Sequence, residues 1–429
     1  MGDNRRVSRR LYTLLFYCAL PLIFLRLLWR ARANPAYRQR WRERLAWYDT
    51  AAAPHTGKTV VFHAVSVGET HAAQPLIERL LQARADLRVV VTCTTPTGSA
   101  RVRELFGTRV EHVYLPYDLP GAVQRFLAHF TPSLVVLLET KLWPNLLHAC
   151  SQRGCKVLLA NARLSARSAA RYARQPLLTR AMLGTLDTVV AQGAADGQRF
   201  VSLGLAGNKL LVNGSLKFDM AVNLQKVQAA RELKAQWKGR PVWIAASTRE
   251  GEDAKVLRAM KLALRQVPSL LMVLVPRHPE RFALAARLAG DAGFTVTRYS
   301  SGGAFGNEMQ VLVGDTMGDM HFYYKLADIA FVGGSLVDTG CQNLIEPAAL
   351  GLPVLSGPSL YNFQSVSDLL REQRGMIVVP DEAALAREIV SLLQQPNDAK
   401  VMGERARQVV AGNQGATERL SALILDKIK

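Results

Sequence analysis

The chain has 429 residues, 49% of them hydrophobic, and a formal net charge of +20. That length is too great for one ordinary core, so two domains with ample buried surface are expected, and the charge calls for a negatively charged partner: nucleic acid, anionic lipid or a phosphorylated substrate. The five cysteines, Cys18, Cys93, Cys150, Cys155 and Cys341, form no paired metal spacing, which argues against a zinc site and for reduced, small core residues.

Residues 1–44 carry eleven Arg against Asp3 and Glu43, and within them Leu11 to Leu25 is almost wholly apolar. No small-residue cleavage site follows, and the far flank is strongly basic, so a cleavable signal peptide fits poorly. A short anchor, or a helix lying in the inner leaflet against anionic lipid, fits better; a buried core helix is the alternative. From Thr59 the pattern changes to strand and helix in alternation. Thr59 to Ala64, Leu87 to Cys93, Leu134 to Leu138, Lys156 to Ala160 and Asp187 to Ala191 are β-branched or Leu-rich runs separated by helix-period stretches. A second series comprises Val242 to Ala246, Leu271 to Val275, Phe294 to Thr297, Val311 to Val313 and Ile329 to Val332. Repeated crossovers of this kind build parallel sheets with helices on both faces. The expected fold class is therefore α/β: a basic membrane anchor over 1–44, a Rossmann-like domain over 45–219, a linker helix within 220–240, and a second Rossmann-like domain over 241–429. Its last helices, Asp398 to Lys429, close the chain and can pack back on the first domain.

Ligands of open parallel sheets bind beyond the carboxyl ends of the strands. There the first domain presents Ser66-Val67-Gly68-Glu69, Thr94 to Ser99, Glu139-Thr140 with Trp143-Pro144-Asn145, and Asn161 to Ser165. The second presents Ser247 to Glu252, Pro276-Arg277-His278-Pro279, and the stretch Phe331 to Gln364. Two crests of polar loops facing one cleft suit an enzyme holding a donor on one domain and an acceptor on the other.

Glu69 follows Gly68 at a strand-to-helix turn, where an exposed carboxylate can take a proton from a hydroxyl, or simply sit as a first-turn acid favoured by the helix dipole. Arg277 and His278 leave a strand through Pro276 and suit a phosphate or carboxylate, or form a solvated turn. Ser247-Thr248 reads as a helix N-cap whose free N–H groups can also bind phosphate. Arg163, with Ser165 and Arg167, is a basic cluster for a phosphorylated acceptor or a solvated helix start. His63, inside a strand, reads as a packed histidine. Gly333-Gly334-Ser335 strip the side chains where the chain leaves a buried strand, which exposes backbone N–H groups to an anion, and Glu346 near a helix start suits a ribose diol. No Asp-x-Asp occurs, so a metal held by paired aspartates has no obvious ligands.

In their order along the chain, the basic N-terminal anchor, His63-Ala-Val-Ser66-Val-Gly68-Glu69, Thr94-Thr95-Pro96-Thr97-Gly98-Ser99, Leu142-Trp143-Pro144-Asn145, Asn161-Ala-Arg163-Leu-Ser165, Pro276-Arg277-His278-Pro279 and Phe331 to Gln364 resemble the Kdo transferases of Gram-negative bacteria. These enzymes attach 3-deoxy-D-manno-oct-2-ulosonic acid to the lipid A precursor. The resemblance implies a GT-B fold, CMP-Kdo as donor substrate and not a cofactor, no metal, and inversion at the anomeric carbon. It implies Glu69 as general base. Ser247, Thr248, Arg277, His278, Gly333, Gly334, Ser335, Asn343 and Glu346 would line the donor site, and Ser66, Gly68, Thr97, Gly98, Ser99 and Arg163 would meet the acceptor. Two positions depart from the family pattern: Lys141 stands where a Glu usually follows Glu-Thr, and Gln342 where a His precedes Asn343. The alternatives are another GT-B enzyme using a UDP-sugar and a non-catalytic, membrane-associated nucleotide-binding protein. Nucleic acid is not an expected partner, because much of the excess charge clusters at the anchor and no RNA- or DNA-binding motif occurs.

Overall fold

Fourteen strands form two sheets of seven among the described residues, and every pairing is parallel. The computed structural model describes residues 2–32, 34–49, 55–220, 222–302, 305–306 and 308–429. Positions 1 and 33 of the expected anchor, 50–54 of the first domain, 221 of the linker and 303, 304 and 307 of the second domain lie outside the described residues, as do the side chains of Arg5 and Arg6.

The first sheet contains β1 (Thr59–His63), β2 (Arg88–Cys93), β3 (Glu111–Tyr114), β4 (Leu134–Leu138), β5 (Lys156–Ala162), β6 (Thr188–Ala191) and β7 (Leu210–Val212), in the order β3-β2-β1-β4-β5-β6-β7. The second contains β8 (Val242–Thr248), β9 (Leu271–Pro276), β10 (Val296–Arg298), β11 (Val311–Val313), β12 (Ile329–Val332), β13 (Val354–Ser356) and β14 (Met376–Val378), ordered β10-β11-β9-β8-β12-β13-β14. Both faces of each sheet are buried, which is why their central strands read as continuous apolar runs. In the first sheet Val61, Val135 and Leu159 turn to one core with Phe126 and Phe130. Val60, Phe62 and Leu158 turn to the other with Leu76 and Leu80.

Two compact units result, 1–220 with 414–429 and 221–413. The helix Leu224–Gln236, in the stretch expected as a linker, counts with the second unit. Of the closing helices, Pro396–Gly412 stays with the second unit, whereas Ala416–Lys427 packs Leu420 and Ile424 into the first unit's core.

The N-terminal helix, Gly2–Arg30, lies on the first unit. Phe16 and Phe24 meet the ring of Tyr117 at 6.4 and 5.9 Å, and Leu27 is buried. Arg9 Nη1 donates to Asn145 Oδ1 at 3.0 Å, and Asn145 Nδ2 donates to Thr13 Oγ1 at 3.0 Å. Asn145 is itself fixed by Asp118, whose carboxylate accepts from the backbone N–H groups of Asn145 and Leu146. The other face of the helix exposes Leu11, Leu14, Leu15, Leu22, Leu25 and Trp29. Among the described residues Val7–Arg30 is the one helix long and apolar enough to cross a membrane by length and composition.

Candidate functional site

At the carboxyl edge of the first sheet, β1 ends at His63 and the chain turns into the helix Val67–Ala83. Ser66 caps that helix by accepting from Glu69 N, while Glu69 Oε2 accepts from Val65 N at 2.6 Å. The two bonds tie the carboxylate back over the start of the helix, one residue off the capping-box pattern, and pull it inward. Glu69 is therefore only 7% exposed, not exposed as its place in the turn suggested, whereas Ser66 and Gly68 remain exposed. Burial raises the Glu69 carboxyl to about 7; Glu139 adds to this, and the Val65 N–H, Lys141 and Ser66 oppose it. Lys217, which sequence reasoning missed, lies in the same cluster. Its ammonium pKa is lowered by burial, held up by Glu139 and Glu69, and pushed down by Arg163. Glu139 (φ 58°), just past β4, and Asn161 (φ 51°), at the irregularity near the end of β5, adopt left-handed backbone although neither is glycine, an arrangement that surrounding contacts must enforce. The Asn161 side chain supplies one such contact by accepting from Leu216 N.

The other expected acceptor residues divide. Thr97 and Gly98 open the helix Pro96–Phe106, where Gly98 N donates to the cap Thr95, and Thr97 is exposed. Ser99 is 4% exposed and already engaged: Arg40 Nη1 donates to its hydroxyl at 2.8 Å and His112 Nε2 lies 2.7 Å away. It faces inward and is not available to an acceptor in this arrangement. His63 is fully buried, with Nδ1 2.9 Å from Thr92 Oγ1, and burial lowers its pKa to about 3.

In the second unit the expected phosphate cradle is already filled. The amides of Gly334, Ser335 and Leu336 donate to the Glu252 carboxylate at 2.6, 3.0 and 2.9 Å, Arg249 N donates to it at 3.1 Å, and Gly333 N donates to Ala246 O. Glu252 is fully buried, an internal anion in the nest that a ligand phosphate was expected to occupy. The legible signal was its Gly251-Glu252 pair, which follows the first strand of its sheet as Gly68-Glu69 follows β1. Ser335 is also inward, donating to Val332 O and accepting from Gly357 N. Gly334, at φ 77°, leaves no room for a side chain: a Cβ would stand 2.5 Å from Gly340 O.

Ser247 and Thr248 are not a helix cap. They end β8, and the next helix starts at Asp253. Thr248 is fully buried and donates to Asp253 Oδ1 at 2.6 Å, and Asp253 pairs with Arg281; Ser247 takes the left-handed conformation at φ 57°. What remains accessible is a polar group beyond β9 and β12. Arg277 is exposed and donates from Nε to Gln342 Oε1 at 3.1 Å, so Gln342, at the position of the usual His, orients that guanidinium. His278 meets Arg249, and burial with the adjacent Arg249 and Arg277 lowers its pKa. Asn343 accepts from Ile345 N at the start of the short helix Ile345–Ala349. Glu346 in that helix is raised to about 7 by burial, with Asn343 and Arg277 opposing.

Two parallel seven-stranded sheets with polar crests define a GT-B glycosyltransferase-type fold. Solved structures share it: UDP-GlcNAc 2-epimerase from Neisseria meningitidis superposes with a TM-score of 0.59 at 14% identity, covering 86% of this chain and 100% of that one. A glycosyltransferase from Rickettsia africae superposes at 0.58 with 15% identity, covering 87% and 99%. The family model for 3-deoxy-D-manno-octulosonic-acid transferase (kdotransferase) matches residues 39–220, and that for glycosyl transferases group 1 matches 255–409. The 3-deoxy-D-manno-octulosonic acid transferase of Haemophilus influenzae is 39% identical over 97% of this chain and 98% of its own length. That of Bordetella pertussis is also 39% identical, over 96% and 98%. The chain belongs to the 3-deoxy-D-manno-octulosonic acid transferase family and is a glycosyltransferase.

Proposed function

We propose that the protein transfers Kdo from CMP-Kdo to the lipid A precursor, a tetraacyl disaccharide bisphosphate, with inversion and without a metal ion. The N-terminal helix would keep it at the inner membrane, with both units on the cytoplasmic side. The observation that carries this reading is Glu69: a buried carboxyl at a strand exit, poised near neutral pH beside Glu139, Lys141 and Lys217. An ionised Glu69 accepts the proton of the acceptor hydroxyl as that oxygen bonds to the anomeric carbon. The anomeric C–O bond to phosphate breaks on the opposite face, and CMP leaves with the electron pair.

The donor's tertiary anomeric centre gives an oxocarbenium-like transition state, so the departing phosphate gathers charge. With the Gly334, Ser335 and Leu336 amides committed to Glu252 and that of Gly333 to Ala246 O, the reading assigns that charge to the side-chain cations Arg277 and Arg249, with no metal ion or cofactor taking part. Glu346 and Asn343 suit the ribose. The deciding experiment is incubation with CMP-Kdo and the lipid A precursor, followed by mass spectrometry of the lipid. The expected product carries one or more added Kdo residues and survives a chelator. Transfer from a UDP-sugar in place of CMP-Kdo, or no product with either donor, refutes the reading.

A further inference from the structure

A cavity of about 380 Å³ in the first unit is walled on one side by the N-terminal helix and on the other by the loops beyond β1, β2 and β4. Four cationic side chains line it, Arg26, Arg30, Arg44 and Lys141, and among the described residues no Asp or Glu does. It touches Val65, the residue whose N–H holds Glu69.

Two of its polar groups are buried without a partner. Arg44 is 3% exposed; its Nη1 donates to Thr94 O and its guanidinium lies 4.1 Å from the centre of the Tyr114 ring, yet Nε has no acceptor and the residue forms no ion pair among the described residues. Trp143 Nε1 is likewise buried and unsatisfied. A buried guanidinium without a counter-anion is costly, so Arg44 favours a ligand that brings negative charge into this cavity. The wall from the N-terminal helix is apolar, with Ile23 and Leu27, and the same helix exposes Leu22, Leu25 and Trp29 on its outer side.

We infer that this cavity binds a phosphate group of the glycolipid acceptor, with Arg26, Arg30 and Lys141 meeting its oxygens, Arg44 adding charge from the buried wall behind them, and the helix receiving adjacent hydrocarbon. The N-terminal helix is then a wall of the acceptor site as well as an anchor. Lys141 gives the inference its specificity to this chain. Where the resemblance places a Glu, a carboxylate beside the phosphate would repel it, and the lysine makes the whole lining cationic. The inference rests on the lipid A precursor being the acceptor.

Arg26→Gln, Arg30→Gln and the two together test it without emptying a buried position and without altering the charges around Glu69. Each variant is assayed with the bisphosphorylated precursor and with its dephosphorylated counterpart, and direct binding of both lipids in detergent is measured beside turnover. The expected result is a KM for the phosphorylated acceptor raised several-fold by each single change and about tenfold by the pair, a matching loss in direct binding, an unchanged KM for CMP-Kdo, and no change toward the dephosphorylated lipid. Equal losses for both acceptors, or losses that follow binding to phosphatidylglycerol vesicles instead, overturn the inference. Wild-type turnover with all variants at wild-type KM also overturns it. Phosphate-dependent binding by a wild-type protein that forms no product supports the cavity while refuting transfer.

Discussion

Glu69 and Glu252 occupy equivalent places, each following a glycine after the first strand of its sheet, and their surroundings give them opposite energetic signs. Glu69 is buried beside another carboxylate and raised to about 7, so its ionised form is held at a cost. Against the ordinary 4.5, the gap corresponds to ~3 kcal/mol. The folded state binds this proton more tightly than the unfolded chain, so the penalty is absent below the ordinary value, grows as pH rises through the folded value, and is complete above about 7. Glu69→Gln should therefore abolish transfer, leave CMP-Kdo binding intact, and raise the melting temperature at pH 8 but not at pH 4. Near-normal turnover in that variant would refute the assignment of the base. In the wild type, kcat/KM should fall about tenfold per pH unit below 7 and level off above it. Glu252 sits among four N–H donors and is stabilising, so Glu252→Ala leaves buried amides without an acceptor, each at ~1–3 kcal/mol. Calorimetry should show a large loss of stability in that variant; a near-neutral effect would mean that water replaces the carboxylate.

Among its described side chains, from Val7 on, the N-terminal helix packs through one face and exposes its leucines on the other, which separates two effects at the scale of the element. Leu14, Leu15 and Leu22, at 60%, 60% and 68% exposure, face away from the unit. Changing all three to Asn should release the protein from sedimented membranes with little change in melting temperature, since each buried leucine is worth ~1.5–3 kcal/mol to lipid and nothing to the fold. Asn145→Ala acts in the opposite way, removing the bonds to Arg9 and Thr13 while leaving the exposed leucines in place. The sequence makes the central strands plain for the same burial reason: β4, β11 and β12 have the expected bounds because they are covered on both faces. The strands it does not reveal, β3, β7, β13 and β14, have only three or four residues, and β7 exposes Leu211 and Val212, so they carry little apolar run to read. Loop chemistry is legible as residue type but not as partner. An anion nest forms at the expected glycine turn, shifted by one residue to the amides of Gly334, Ser335 and Leu336, yet nothing local tells that Glu252, more than eighty residues earlier, fills it. Ser247-Thr248 looks like a cap because Arg-Glu-Gly-Glu follows, but Thr248 is drawn into the buried contact with Asp253.

At the scale of the whole molecule, the chain leaves the first unit at Met220 and returns to it at Gln414, so its last residues complete a core that the first half begins. Ala416, Leu420, Ile424 and Ile428 are all buried against the face of the first sheet that also holds Leu76 and Leu80. Asn213 Nδ2 donates to Ala416 O, and Asp219 accepts from Gly415 N. Leu420, Ile424 and Ile428 together represent several kcal/mol of burial at ~1.5–3 kcal/mol for each large side chain, a large share of what holds a unit of this size folded. Two units with separate cores predict two calorimetric transitions. CMP, at about a hundredfold its Kd, should stabilise the second unit by ~2.7 kcal/mol and move only that transition, while UDP moves neither. Deleting 414–429 should lower the other transition by many degrees and leave the CMP-sensitive one at its wild-type temperature with its CMP shift intact. A deletion that lowers both equally would mean that the tail supports the units jointly, and a CMP shift on the tail-sensitive transition would place the nucleotide on the first unit.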